Sequence, residues 1–168
     1  MTCTTVPADA RFLLPGEVFF GAQGRVKTLL GSCVAITLWH PVHRLGGMCH
    51  YVLPAAARSG ADEPPDGRYG DAAVLALLRA AQNAGTRASE YVVGLYGGGR
   101  MFPNGVGQDL ADIGRRNVEA GLKLLLMHGF VVPQVHAGGC GHRTVTLDLD
   151  TGQVSVRHEP LSLDTARR

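Results

Sequence analysis

A chain of 168 residues, 45% of them hydrophobic, is long and apolar enough to bury a core, and 1–168 reads as one domain. A formal charge of +2, with no cluster of Lys or Arg, argues against nucleic acid or an anionic membrane as partner. No stretch approaches eighteen consecutive apolar residues, and Met1-Thr2-Cys3 opens no secretion signal, so a cytoplasmic protein without direct membrane insertion is expected.

In chain order, residues 1–15 read as a loosely held arm broken by Pro7 and Pro15. Val26–Leu30 and Cys33–Trp39 read as strands separated by Gly31, and Gly47–Leu53 reads as a return strand. The Pro- and Gly-rich residues 54–69 form a long surface loop. Asp71 is placed to cap a helix from Ala72 to about Asn83, with Val74, Leu77, Leu78 and Ala81 on its buried face and Gly85 beyond its end. Tyr91–Tyr96 is a strand that runs into Gly97-Gly98-Gly99. A second helix covers about Ile113–His128, its apolar stripe being Val118, Leu122, Leu125 and Leu126, with Gly129 as its stop. Phe130–His136, Thr144–Asp150 and Gln153–His158 complete the strands, the last two as a hairpin around Thr151-Gly152. Hairpins interrupted by two helices predict an α+β protein, a layered α/β sandwich of mainly antiparallel sheets covered by two main helices.

The chemistry concentrates in Cys33, at the mouth of one apolar run, and His50, seventeen residues later in the next. A thiol becomes a strong nucleophile as thiolate, and a nearby imidazole is the usual means of making one. If His40–His43 form the connecting loop, Trp39 faces Arg44 and Cys33 lies directly opposite His50, unless a bulge at Gly46-Gly47 shifts the pairing by one. The competing reading is two buried strand residues. Cys49 adjoins His50 and should point to the other face as an inert thiol. The four cysteines, at 3, 33, 49 and 140, read as free thiols in a reducing compartment. Cys140, His142 and His136 suggest zinc only weakly, since no C-x-x-C and no paired-His spacing is present. Gly97-Gly98-Gly99 matches neither a dinucleotide fingerprint nor a Walker loop. No metal and no cofactor are therefore expected. Arg100 and Asn117 read as exposed polar residues beside a turn that lets substrate approach.

Five blocks in order carry a resemblance. They are Leu30-Gly31-Ser32-Cys33-Val34-Ala35, Gly46-Gly47-Met48-Cys49-His50-Tyr51-Val52-Leu53-Pro54, Tyr96-Gly97-Gly98-Gly99-Arg100-Met101-Phe102, Ile113-Gly114-Arg115-Arg116-Asn117 and Gly138-Gly139-Cys140-Gly141-His142-Arg143, with Thr151-Gly152-Gln153-Val154 closing the series. The pattern resembles the CheD-type chemoreceptor glutamine deamidases over roughly residues 16–160. The resemblance implies a layered sandwich similar to the catalytic domain of cytotoxic necrotizing toxins. It also implies conversion of selected glutamines in the cytoplasmic segments of methyl-accepting chemoreceptors to glutamate, through a cysteine thioester. The same acyl chemistry extends to glutamate methyl esters, and some members of the family bind a CheC-type phosphatase. An adaptor of the same fold with little or no activity, binding a chemoreceptor or a CheC-type partner, is the alternative.

Carried onto this sequence, the family's nucleophile and base are Cys33 and His50, with backbone N–H groups around Gly31-Ser32-Cys33 as oxyanion donors. The family's third residue is a threonine six positions before the cysteine. Lys27 stands there in this chain, and the nearest hydroxyl is Thr28. Adjacent strand residues face opposite ways, so Thr28 is expected to serve only if Leu29–Gly31 is bulged. The candidate catalytic set is Cys33, His50 and Thr28.

Overall fold

The structure is a computed structural model that describes residues 10–57, 62–102 and 108–161, and these form three layers. Among the described residues the strands are β1 (Arg11–Phe12), β2 (Val18–Ala22), β3 (Arg25–Leu30), β4 (Val34–His40), β5 (Leu45–Tyr51), β6 (Val92–Gly97), β7 (Gln134–Ala137), β8 (His142–Asp148) and β9 (Val154–Glu159). The helices are α1 (Gly70–Asn83) and α2 (Gln108–Met127). One sheet has the order β2-β5-β4-β6-β7 and the other β1-β3-β8-β9. Both helices cover the outer face of the five-stranded sheet, whose inner face packs on the four-stranded one. The α+β sandwich expected from the sequence is the architecture found.

Strand β4 shows why the layers stack in this order. Val34, Ile36 and Leu38 point to the helices, while Ala35 points to the second sheet. Buried on both sides, the strand has no polar alternation to show. Each such aliphatic side chain contributes about 1.5–3 kcal/mol by leaving water. Strands β3 and β8 alternate instead, with Val26, Thr28 and Leu30, and Arg143, Val145 and Leu147, turned inward. Their outward residues cover the exposed face of the four-stranded sheet.

Several expectations are corrected. From Ala10 to Pro15 the arm is fastened: β1 pairs in parallel with β3, and Leu13 is fully buried. Residues 1–9, Cys3 among them, lie outside the described residues. Strand β2 has no counterpart in the sequence reading, because Phe19 packs between the sheets and Phe20 under the helices, which erases its period. Tyr69, not Asp71, is the N-cap of α1, and the Asp71 carboxylate accepts the Ala72 N–H within the first turn. Residues 130–133 are not strand; Phe130 closes α2 by donating its N–H to the Leu125 carbonyl, and pairing with β6 starts at Gln134. Leu126 is two-thirds exposed, and the fully buried stripe of α2 is Gly114, Asn117, Gly121 and Leu125. The hairpin at Thr151-Gly152 has Gly152 at φ 77°, seated against the Trp39 ring, whose indole N–H donates to the Leu149 carbonyl at 3.0 Å.

Candidate active site

The turn Gly31-Ser32-Cys33 is where the chain leaves the four-stranded sheet and enters the five-stranded one. Its three carbonyls are all taken. Gly31 O accepts the Gly99 N–H at 2.9 Å, Cys33 O accepts the Gly98 N–H at 2.8 Å, and Ser32 O accepts the Asn117 side-chain amide at 3.0 Å. The partner turn is possible because Gly97 and Gly98 hold φ values of 114° and 62°, which favour glycine. Behind it the buried Arg143 guanidinium donates to Gly138 O at 2.6 Å, to His136 Nδ1 at 2.9 Å and, more weakly, to Gly97 O at 3.4 Å. The Gly31-Ser32-Cys33 turn is therefore clamped through all three of its carbonyls.

The hairpin register differs from the expected one by two residues. His40 still belongs to β4 and pairs with Leu45, so the loop is Pro41–Arg44 and Ala35 lies opposite His50. His40 stays in the strand because its buried ring caps the turn, with Nδ1 accepting the N–H groups of Val42 and His43. No bulge interrupts the pairing at Gly46-Gly47. A shift of two preserves the face. Cys33 thus lies on the same inter-sheet side as His50, one diagonal step away, half-buried against that core. Cys49 points to the helix side, fully buried.

Thr28 reaches His50 without any bulge. The parity expectation failed because β3 and β4 belong to different sheets, so Thr28 faces His50 across the sandwich rather than along one strand. Its Oγ1 lies 2.7 Å from His50 Nδ1 and 2.8 Å from the Leu13 carbonyl. A hydroxyl has one proton, and a carbonyl can only accept. That proton goes to Leu13 O, so Oγ1 accepts from Nδ1–H, and the imidazole's free lone pair is at Nε2. Nε2 is buried and has no hydrogen-bond partner among the described residues. Lys27 faces outward from the same strand.

Burial sets the resting protonation. The His50 imidazole is pushed down to about 4, and the Cys33 thiol is pushed up, its own backbone N–H acting weakly the other way. At neutral pH both groups are uncharged, so the imidazole does not preform the thiolate that the sequence reading expected. Cys49 is pushed up to about 12 by complete burial. With limiting iodoacetamide, Cys33 should label well before Cys49, at a rate still climbing with pH above neutrality. Faster labelling of Cys49, or a Cys33 rate already at its plateau at neutral pH, would contradict this electrostatic picture.

The other sequence-flagged residues go elsewhere. His142 Nε2 pairs with the Glu159 carboxylate at 2.6 Å and His158 Nε2 with the Cys140 carbonyl at 2.9 Å. Among the described residues no group of three His, Cys, Asp or Glu side chains is gathered to hold a metal. Arg100 is exposed, but Asn117 is fully buried, contrary to its reading as a surface residue. The sequence signal for it was the small-residue spacing Gly114, Asn117, Gly121 rather than hydrophobicity. Among the described residues, no helix is long and apolar enough to cross a membrane.

Residues 52–158 match the family model described as CheD chemotactic sensory transduction. A Pseudomonas fluorescens protein named probable chemoreceptor glutamine deamidase CheD is 46% identical over 154 residues, 90% of this chain and 85% of its own. Proteins named in the same way from Albidiferax ferrireducens and from Methanococcus vannielii are 41% and 36% identical, over 92% and 84% of this chain and 90% of each relative. The chain belongs to the CheD family.

Proposed function

We propose that this chain is a cytoplasmic protein-glutamine deamidase that converts glutamine side chains of methyl-accepting chemoreceptors to glutamate, with Cys33 as nucleophile and His50 as base. The observation that carries the mechanism is the oriented imidazole. Thr28 holds Nδ1 as the donor, which leaves Nε2 buried, without a hydrogen-bond partner among the described residues and with its lone pair available to take a proton. A buried polar atom without a partner costs about 1–3 kcal/mol, which is the pattern of a group kept for chemistry.

Because thiol and imidazole are both neutral at rest, the proton leaves as the bond forms. Cys33 Sγ attacks the carboxamide carbon while its proton passes to His50 Nε2. The carbonyl electrons move onto oxygen, for which backbone N–H groups around Gly31-Ser32-Cys33 serve as the donors. Collapse of this intermediate expels the nitrogen, which takes the proton from His50 and departs as ammonia. Water, giving a proton to the same Nε2, then attacks the thioester carbon; the C–S bond breaks, the Cys33 sulfur takes that proton back from His50, and glutamate is released. A glutamyl methyl ester presents the same carbonyl to the same thiol, with methanol leaving, and a CheC-type phosphatase as partner belongs to the same proposal.

The test is mass spectrometry of receptor cytoplasmic segments incubated with the purified chain. Gain of the amide-to-acid mass at defined glutamines supports the reading, while segments bound and left unchanged would identify an adaptor. Thr28 gives a second prediction. Losing its hydroxyl forfeits one oriented hydrogen bond, about 1–1.5 kcal/mol, so Thr28→Val should turn over about tenfold more slowly per folded molecule. Lys27→Ala, altering an outward side chain, should match wild type. Equal rates for Thr28→Val and wild type would remove Thr28 from the mechanism.

A further inference from the structure

Asn117 sits at the centre of the buried stripe of α2, flanked by Gly114 and Gly121. Spacings of three and four residues put these on one helix face. Both glycines bring the helix backbone unusually close to the site. A Cβ at Gly114 would stand 2.5 Å from the Gly98 carbonyl oxygen, and one at Gly121 would strike the Tyr51 hydroxyl. This closeness lets a short amide reach both catalytic elements at once. The two Nδ2 protons are divided between Ser32 O at 3.0 Å and Val52 O at 2.8 Å, and the Asn117 backbone carbonyl accepts the Tyr51 hydroxyl at 2.5 Å. Ser32 immediately precedes the thiol. Tyr51 and Val52 immediately follow the imidazole.

Packing alone does not account for this residue. Asparagine is a poor helix former, and its Oδ1 is buried without a partner among the described residues. An apolar side chain would fill the same space without that orphaned oxygen, but it would release both carbonyls. We infer that Asn117 is a positioning residue, one that fixes the turn carrying Cys33 against the strand carrying His50 so that sulfur, imidazole and oxyanion donors keep one geometry. This inference rests on Cys33 and His50 being the nucleophile and base. Asn117 is fully buried, out of a substrate's reach, so its loss acts on the bound complex's rate and spares substrate affinity.

The test compares wild type, Asn117→Ala and the isosteric Asn117→Asp. Turnover on a receptor segment is normalised to folded protein, with protection of the buried Cys49 from iodoacetamide as the measure of folding. Both variants should lose about 10–100-fold in kcat, the scale of a misplacement of about an ångström, with KM little changed and Cys33 alkylated no more slowly than in wild type. In Asn117→Asp an ionised carboxylate faces two carbonyls, whereas the protonated acid restores one donor. Its turnover relative to wild type should therefore rise as pH falls, a trend that a merely structural defect would not produce per folded molecule. Variants within twofold of wild-type kcat, or a raised KM with kcat intact, would overturn the inference. An active wild type beside equally active variants would sink only the role of Asn117; an inactive wild type would sink the deamidase reading as well.

Discussion

Cys33→Ala should lose deamidation by about 10⁴-fold or more, the scale seen when the nucleophile of a cooperating catalytic group is removed. The turn that carries it is held through the carbonyls of Gly31, Ser32 and Cys33, none of which needs the thiol. Thermal stability should accordingly stay within about 1 kcal/mol of wild type, since only one half-buried sulfur is lost. Rate per folded molecule and melting temperature, measured together, check both halves. Residual turnover close to wild type would mean that another group attacks the amide.

His50→Ala should lower turnover by about 10²–10⁴-fold, the usual contribution of a positioned acid–base group. It should also change how the fold responds to acid. The imidazole takes a proton near 6.5 when unfolded and near 4 when folded, because burial disfavours the cation. Its neutral form therefore contributes fully above about pH 6.5, and that contribution is lost as pH falls toward 4, in total about 3 kcal/mol. Wild type should weaken across that window more steeply than His50→Ala, which has no imidazole to protonate. Denaturant melts at several pH values give the comparison. Parallel pH curves for the two proteins would show that His50 is not held neutral by the fold.

Strand and helix positions were legible where one face alone is buried. The alternation of Val26, Thr28 and Leu30 and the spacing of Val74, Leu77 and Ala81 mark their elements directly. Elements covered on both faces lose their period, which hides β2, while the register of β4 against β5 shifts by two because the buried His40 extends the strand and caps the turn. Cys33 and His50 still share a face because a shift of two returns each side chain to its side, although Ala35 and not Cys33 lies opposite His50. Thr28 could not be placed from the sequence, since strand parity holds within a sheet and the chain changes sheets at Gly31-Ser32-Cys33. Asn117 reads as exposed in the sequence, though it is fully buried, for a related reason. A helix that approaches closely enough to hydrogen-bond the Gly31-Ser32-Cys33 turn does so through glycines, which leave no apolar stripe in the sequence.

The central claim, that Cys33 carries the substrate as a thioester, is tested most directly by running the reaction with hydroxylamine present. A thioester partitions between water and hydroxylamine, whereas direct attack by water on the amide yields only the acid. Mass spectrometry of the receptor segment should find glutamyl hydroxamate at the same positions as glutamate, rising with hydroxylamine concentration and absent with Cys33→Ala. Glutamate alone at every hydroxylamine concentration, formed equally well by Cys33→Ala, would contradict it.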